Sequence, residues 1–328
     1  MTNVLADALV PIFTGVLLGY WAGRRGLMDS INIRNLIVFV MNFAAPCALF
    51  SIIIGTSRRV LQQQLMVAFV IALVFTGIYL GCYFWARYRV GMSIPDGAVL
   101  ALTFGFPNSA AMAVSLLSST FGPKASVPAA LSIVVGSITT VPITLDLLEL
   151  GSKTVEPEIT ARALLRGILR SFARPVVWAP IIALLFACLH VHFPTYAIRA
   201  LNTLGSAING SALVLTGLVI SAHPFRMNSA VLSTTAAKLI VQPLLALCIT
   251  LLLHMSHDQI RNITLISAIP GGFFGLAFGK PFNATPEIAN SGLTATYGFA
   301  IVTLPLWILF LSRFVLDCPI FCTSEELV

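Results

Sequence analysis

Apolar residues in this chain gather into long runs separated by short polar stretches, and each run is about 20 residues long, enough for a helix to cross a hydrocarbon core. Ten such runs can be read, at roughly 4 to 22, 32 to 54, 64 to 86, 97 to 121 and 125 to 147, then 175 to 193, 197 to 221, 228 to 253, 260 to 280 and 287 to 312. The pattern predicts an all-α membrane protein of ten transmembrane helices. Its expected organisation is a first five-helix repeat over 1–148, a linker over 149–174, a second five-helix repeat over 175–316 and a tail over 317–328.

The linker carries Arg162, Arg166, Arg170 and Arg174, each four apart, beside Leu164, Leu165, Ile168, Leu169 and Phe172. On a helix this is one basic stripe next to an apolar one. It fits either an amphipathic helix on an anionic membrane surface or a connector that obeys the charge rule for loops. Of the basic residues between spans, twelve fall on the linker's side and six on the other. That excess places the linker in the cytoplasm and both termini outside. The first apolar run follows Met1-Thr2-Asn3 without a basic start, so it is expected to remain as a helix and not to be cleaved as a signal peptide.

Composition agrees with this reading. Of 328 residues, 58% are hydrophobic and 9% charged, against roughly a quarter charged in a soluble domain. The net charge of +7 would suit nucleic acid only if it gathered on a soluble face. Here the basic residues lie between apolar runs, so no nucleic-acid partner is expected and membrane lipids are.

The two halves share spaced features. Pro107 and Pro270 are 163 positions apart, as are Pro142 and Pro305, while Asn42 and Asn209 are 167 apart. An odd number of spans per half turns the second half upside down, which gives an inverted repeat, a common plan of secondary transporters. Proline removes a helical hydrogen bond and clashes with the preceding turn. With Gly105 before Pro107 and Gly271, Gly272 and Gly275 after Pro270, spans four and nine are expected to break. Both breaks fall roughly 15 Å deep and would face each other. Helix N-terminal ends near Ser109 and Ala110, and near Gly272 and Phe273, would then attract an anion.

Asn42, Asn108, Asn209 and Lys238 fall near the same depth, and buried polar groups in lipid need partners or a water-lined cavity. An amide there either lines a site or bonds two helices. Lys238 reads as the counter-charge of an anionic substrate or as a cap on a helix end. The twelve acids map to span ends, loops or tails, which argues against a buried carboxylate relay. Four of the six cysteines lie in apolar runs as small hydrophobes, and the five histidines lie at span ends without metal-ligand grouping. No catalytic residues, metal or cofactor are expected: paired intramembrane aspartates, HExxH and GxSxG are absent.

Several motifs resemble the auxin efflux carriers in their bacterial branch, which includes proteins labelled malonate carriers. They are Leu18-Gly19-Tyr20 with Gly23-Arg24-Arg25, Ala45-Pro46-Cys47-Ala48-Leu49-Phe50, Pro175-Val176-Val177-Trp178-Ala179-Pro180 and Lys238-Leu239-Ile240-Val241-Gln242-Pro243. The resemblance implies a ten-helix carrier with crossed, broken helices four and nine, a substrate carboxylate at the crossing near Pro107, Asn108, Pro270 and Gly271, and pairing into a homodimer through spans one, two, six and seven. The plant members' long central cytoplasmic loop is missing here, so a small mono- or dicarboxylate such as malonate is expected in place of auxin. The expected location is a bacterial inner membrane. A carrier of neutral or zwitterionic solutes, or a transporter-derived receptor, is the alternative.

Overall fold

A computed structural model describes residues 2–29, 33–56, 62, 64–151, 175–189, 191 and 193–317. Its helices, in chain order, are α1 Thr2–Arg24, α2 Arg34–Ile54, α3 Leu65–Val90, α4 Ile94–Gly105, α5 Ser109–Phe121, α6 Ser126–Gly151, α7 Pro175–Cys188, α8 Thr195–Ser221, α9 Ser229–Leu252, α10 His257–Ala268, α11 Phe274–Gly279 and α12 Glu287–Asp317. Seven of these are long and apolar enough to cross a membrane. Shorter apolar helices lie at Ile94–Gly105, Ser109–Phe121 and Pro175–Ala187. The chain is an all-α, multi-pass membrane protein, and among the described residues the only β-type pairing is an isolated bridge between Pro107 and Gly271.

The predicted fourth run is α4 and α5, and the ninth is α10 and α11. The sixth, α7, ends at Cys188, short of the expected 193, and Pro194 stands as the N-cap of α8. At the other end of the linker, α6 runs on to Gly151 through Glu149. The basic stripe from Arg162 to Arg174 and the tail after Asp317 lie outside the described residues.

Two features fix how the helices pack. First, α1 lies against α8 at backbone distance: a Cβ on Gly19 would sit 2.1 Å from the Val214 carbonyl oxygen, and one on Gly217 would sit 2.1 Å from that of Val16. Only glycine permits that approach. Second, α2 and α9 each widen into a π turn, at Val40–Ala44 and Ala237–Val241, just before Pro46 and Pro243. Each proline lacks the N–H that would bond the carbonyl four residues earlier, and the helix relaxes by one residue to absorb the gap. The carbonyl that Pro243 leaves free, on Leu239, accepts a hydrogen bond from Trp307 Nε1 at 3.0 Å. That bond ties α12 to α9 beside Lys238.

Candidate functional site

Between α4 and α5 the chain opens at Phe106-Pro107-Asn108, with Phe106 in extended conformation, and between α10 and α11 it opens at Ile269 to Phe273. Pro107 cannot bond the carbonyl of Thr103 one turn earlier. That carbonyl accepts instead from the Gly272 N–H at 2.9 Å, and the Asn108 N–H donates to the Pro270 carbonyl at 3.0 Å. The Gly271 N–H donates to Thr296 Oγ1 of α12 at 3.3 Å. Each break thus supplies backbone partners that the other has lost, and the two spans cross there. A Cβ on Gly271 would meet the Thr103 carbonyl oxygen at 2.8 Å, and one on Gly275 would meet that of Val99 at 2.3 Å. Phe106 stacks on Phe274 with ring centroids 5.3 Å apart and closes one flank.

The C-terminal ends of the two leading half-helices share a cap from α9. Lys238, fully buried, donates from Nζ to the Ser267 carbonyl of α10 at 3.1 Å and to Gln242 Oε1 at 2.6 Å. Gln242 in turn donates from Nε2 to the Gly105 carbonyl at the end of α4, at 3.3 Å. Of the two roles open to Lys238, this geometry supplies the helix-end cap: its Nζ donates at carbonyl ends that carry the negative end of the helix dipole.

The start of α5 is built differently. Asn108 Nδ2 donates to Thr216 Oγ1 of α8 at 2.8 Å and to the Tyr297 hydroxyl of α12 at 2.6 Å. Thr216 spends its own proton on the Ala212 carbonyl, so it accepts from Asn108. Both N–H bonds of the Asn108 amide are therefore used, so of the two roles open to it the structure shows the one that bonds helices together. Two buried atoms remain without a partner, Asn108 Oδ1 and the Ser109 hydroxyl. Leaving a buried polar group unpaired costs about 1–3 kcal/mol. The Ser109 N–H donates to the Pro107 carbonyl at 2.7 Å, the amides of Ala110 and Ala111 behind it have no intrahelical acceptors, and the helix end carries roughly half a positive charge. No acidic residue lies in either break. Such an end can hold an anion, with the Ser109 hydroxyl donating to it.

The crossing therefore brings together Pro107, Asn108, Ser109, Pro270, Gly271 and Gly272, with Lys238 at its carbonyl ends. It does not bring in Asn42, which lies exposed in the π turn of α2, or Asn209, which is half-buried on α8; neither joins this hydrogen-bond network. Equal depth does not fix which way a side chain faces, because successive helical residues turn by about 100°. Sequence reasoning missed Gln242, Thr216, Tyr297, Thr103 and Thr296. Gln242 was within reach, since it follows Lys238 by four residues and shares its helix face.

Over residues 4–308 the chain matches the family described as membrane transport protein. It is 30% identical over 323 residues to the uncharacterized transporter YfdV of Escherichia coli K12, covering 96% of this chain and 99% of that one. The same figures hold for the YfdV proteins of Escherichia coli O157:H7 and Shigella flexneri.

Proposed function

The chain belongs to the membrane transport protein family, that of the auxin efflux carriers, and on that premise we propose that it is a secondary carrier of small organic carboxylates, such as malonate, working by alternating access. The observation that carries this reading is the unpaired Ser109 hydroxyl at the buried N-terminal end of α5, in a crossing without acidic residues. A carboxylate there accepts from the hydroxyl and from the first-turn amides of Ala110 and Ala111 together. Lys238 supports the site from behind by holding the carbonyl ends of α4 and α10, and is not itself the substrate's counter-charge.

The two proline breaks at one offset support a five-plus-five inverted repeat, in which the crossing stays fixed within a moving unit while access alternates around it. The twelve-to-six charge imbalance supports termini outside and the linker in the cytoplasm of a bacterial inner membrane. Pairing into a homodimer through α1, α2, α7 and α8 follows the family resemblance.

A second reading has its own observation. Asn108 Oδ1 is an unpaired acceptor, which suits a ligand that carries a hydroxyl or ammonium donor beside its carboxylate. Hydroxy acids and amino acids therefore belong in the test. Purified protein is screened by thermal shift against mono- and dicarboxylates, hydroxy acids, amino acids and neutral solutes. A ligand at 100 times its Kd stabilises the fold by about 2.7 kcal/mol. The expected hits are carboxylates, and flux of each hit into proteoliposomes then separates a carrier from a receptor. Stabilisation by neutral solutes alone would overturn the carboxylate reading.

A further inference from the structure

A cavity of about 330 Å³ opens between α2 and α8 on one wall and α11, the turn after it and the start of α12 on the other. It is lined by Ile37, Val219, His223, Leu276, Lys280 and Asn290, among others. Val219 follows Thr216 by three residues and Leu276 follows Gly272 by four, so the cavity ends about one helical turn, roughly 5 Å, from the crossing. It leads toward the site described above without containing any residue of it.

The lining has a defined chemistry. Lys280 is exposed to the cavity and forms no ion pair among the described residues, while Glu287, in the first turn of α12, is engaged by Arg226 at 3.5 Å. Burial and the neighbouring Lys280 cation both lower the pKa of His223, which leaves its imidazole neutral at neutral pH and Lys280 as the charge that an anion meets. Asn290 is 7% exposed. Its Nδ2 donates to the carbonyls of Thr285 and Pro286, at 3.3 Å each, and its Oδ1 has no partner. A buried, unpartnered acceptor on one lining residue and an unpaired ammonium on another ask for a ligand with both an anionic end and a donor.

We propose that this cavity is a second binding site for organic carboxylates, in which Lys280 holds the carboxylate and Asn290 Oδ1 accepts a hydrogen bond from a hydroxyl or ammonium on the same ligand. The inference rests on the carrier reading above, in which this site loads or unloads the crossing. Its preferred ligands are hydroxy or amino acids over plain carboxylates of the same size.

The test is made on the full chain with its six cysteines replaced and Thr285→Cys introduced at the cavity wall. Reaction rates are measured with an anionic and a cationic methanethiosulfonate reagent, with and without malonate or its hydroxylated analogue tartronate. Lys280→Gln is expected to lower the anionic-to-cationic rate ratio about fivefold, as removal of one nearby charge does. Both acids should slow labelling, tartronate at the lower concentration, and Asn290→Leu should abolish tartronate's advantage. Protection should persist in Asn108→Leu, where the crossing is altered, and disappear in Lys280→Gln. The inference is overturned if the rate ratio is unchanged in Lys280→Gln. It is equally overturned if protection survives Lys280→Gln and vanishes in Asn108→Leu, since the cavity would then only report on the crossing. Absence of carboxylate flux into proteoliposomes with protection intact would remove the carrier reading and leave this site standing.

Discussion

At the ends of α4 and α10 the backbone carbonyls are met from within the protein, since Lys238 reaches that of Ser267 and Gln242 links Lys238 to that of Gly105, although the Ser267 hydroxyl beside them has no partner. At the amide end of α5, a few residues away in sequence, Ser109 and Asn108 Oδ1 remain unmet. Both are helix ends exposed by a proline break, and both are buried. The difference lies in what completes them. The protein carries its own donors for the carbonyl ends and supplies no anion for the amide end, so the first side is expected to serve stability and the second to serve binding.

Substitutions can break this division, and the largest effect is expected at Lys238. Lys238→Met keeps the volume and removes the donor, leaving Gln242 Oε1 and the Ser267 carbonyl bare, at a cost of about 3 kcal/mol. Chemical or thermal unfolding in detergent should show it. If Lys238→Met were as stable as the parent and merely lost ligand, the lysine would belong to the binding side and the comparison would collapse. Gly271→Val is expected to cost about 2 kcal/mol, since its Cβ meets the Thr103 carbonyl oxygen at 2.8 Å and overpacking of this kind strains the backbone. Because that strain sits on the bond pattern joining the two breaks, both stability and carboxylate binding should fall. Thr216→Val is the mildest. It removes one acceptor of Asn108 Nδ2 at near constant volume, for about 1 kcal/mol of stability. It also releases one amide N–H toward the site, so carboxylate affinity, measured by equilibrium binding, should not fall.

Much of the fold was legible in the sequence because its determinants are local. Run length marks spans, and Pro107 and Pro270 inside apolar runs mark breaks, since a proline's missing N–H acts at its own position. The bridge between Pro107 and Gly271 is the structural consequence. The partners of the site were not legible. Asn108 meets Thr216 and Tyr297 at separations of 108 and 189 residues, and no periodicity encodes such pairs. Counting depth along each span grouped Asn42 and Asn209 with Asn108, but depth says nothing of the face that a side chain presents. For Lys238 the sequence left two roles open, and the deciding partner was a backbone carbonyl, Ser267, which carries no side-chain signature.

The claim that the amide end of α5 is completed by a substrate carboxylate is tested most directly on Ser109→Ala. The substitution removes a hydroxyl that has no partner in the protein, so the unliganded variant should unfold at the parent's temperature or slightly above it. The measurement is the thermal shift produced by the carboxylate identified in the screen, taken on parent and variant at the same ligand concentrations. A charge-assisted hydrogen bond is worth about 1.5–3 kcal/mol, so the variant should need at least about tenfold more ligand for the same shift. An unchanged shift in Ser109→Ala, at unchanged basal stability, would contradict the account and place the carboxylate elsewhere.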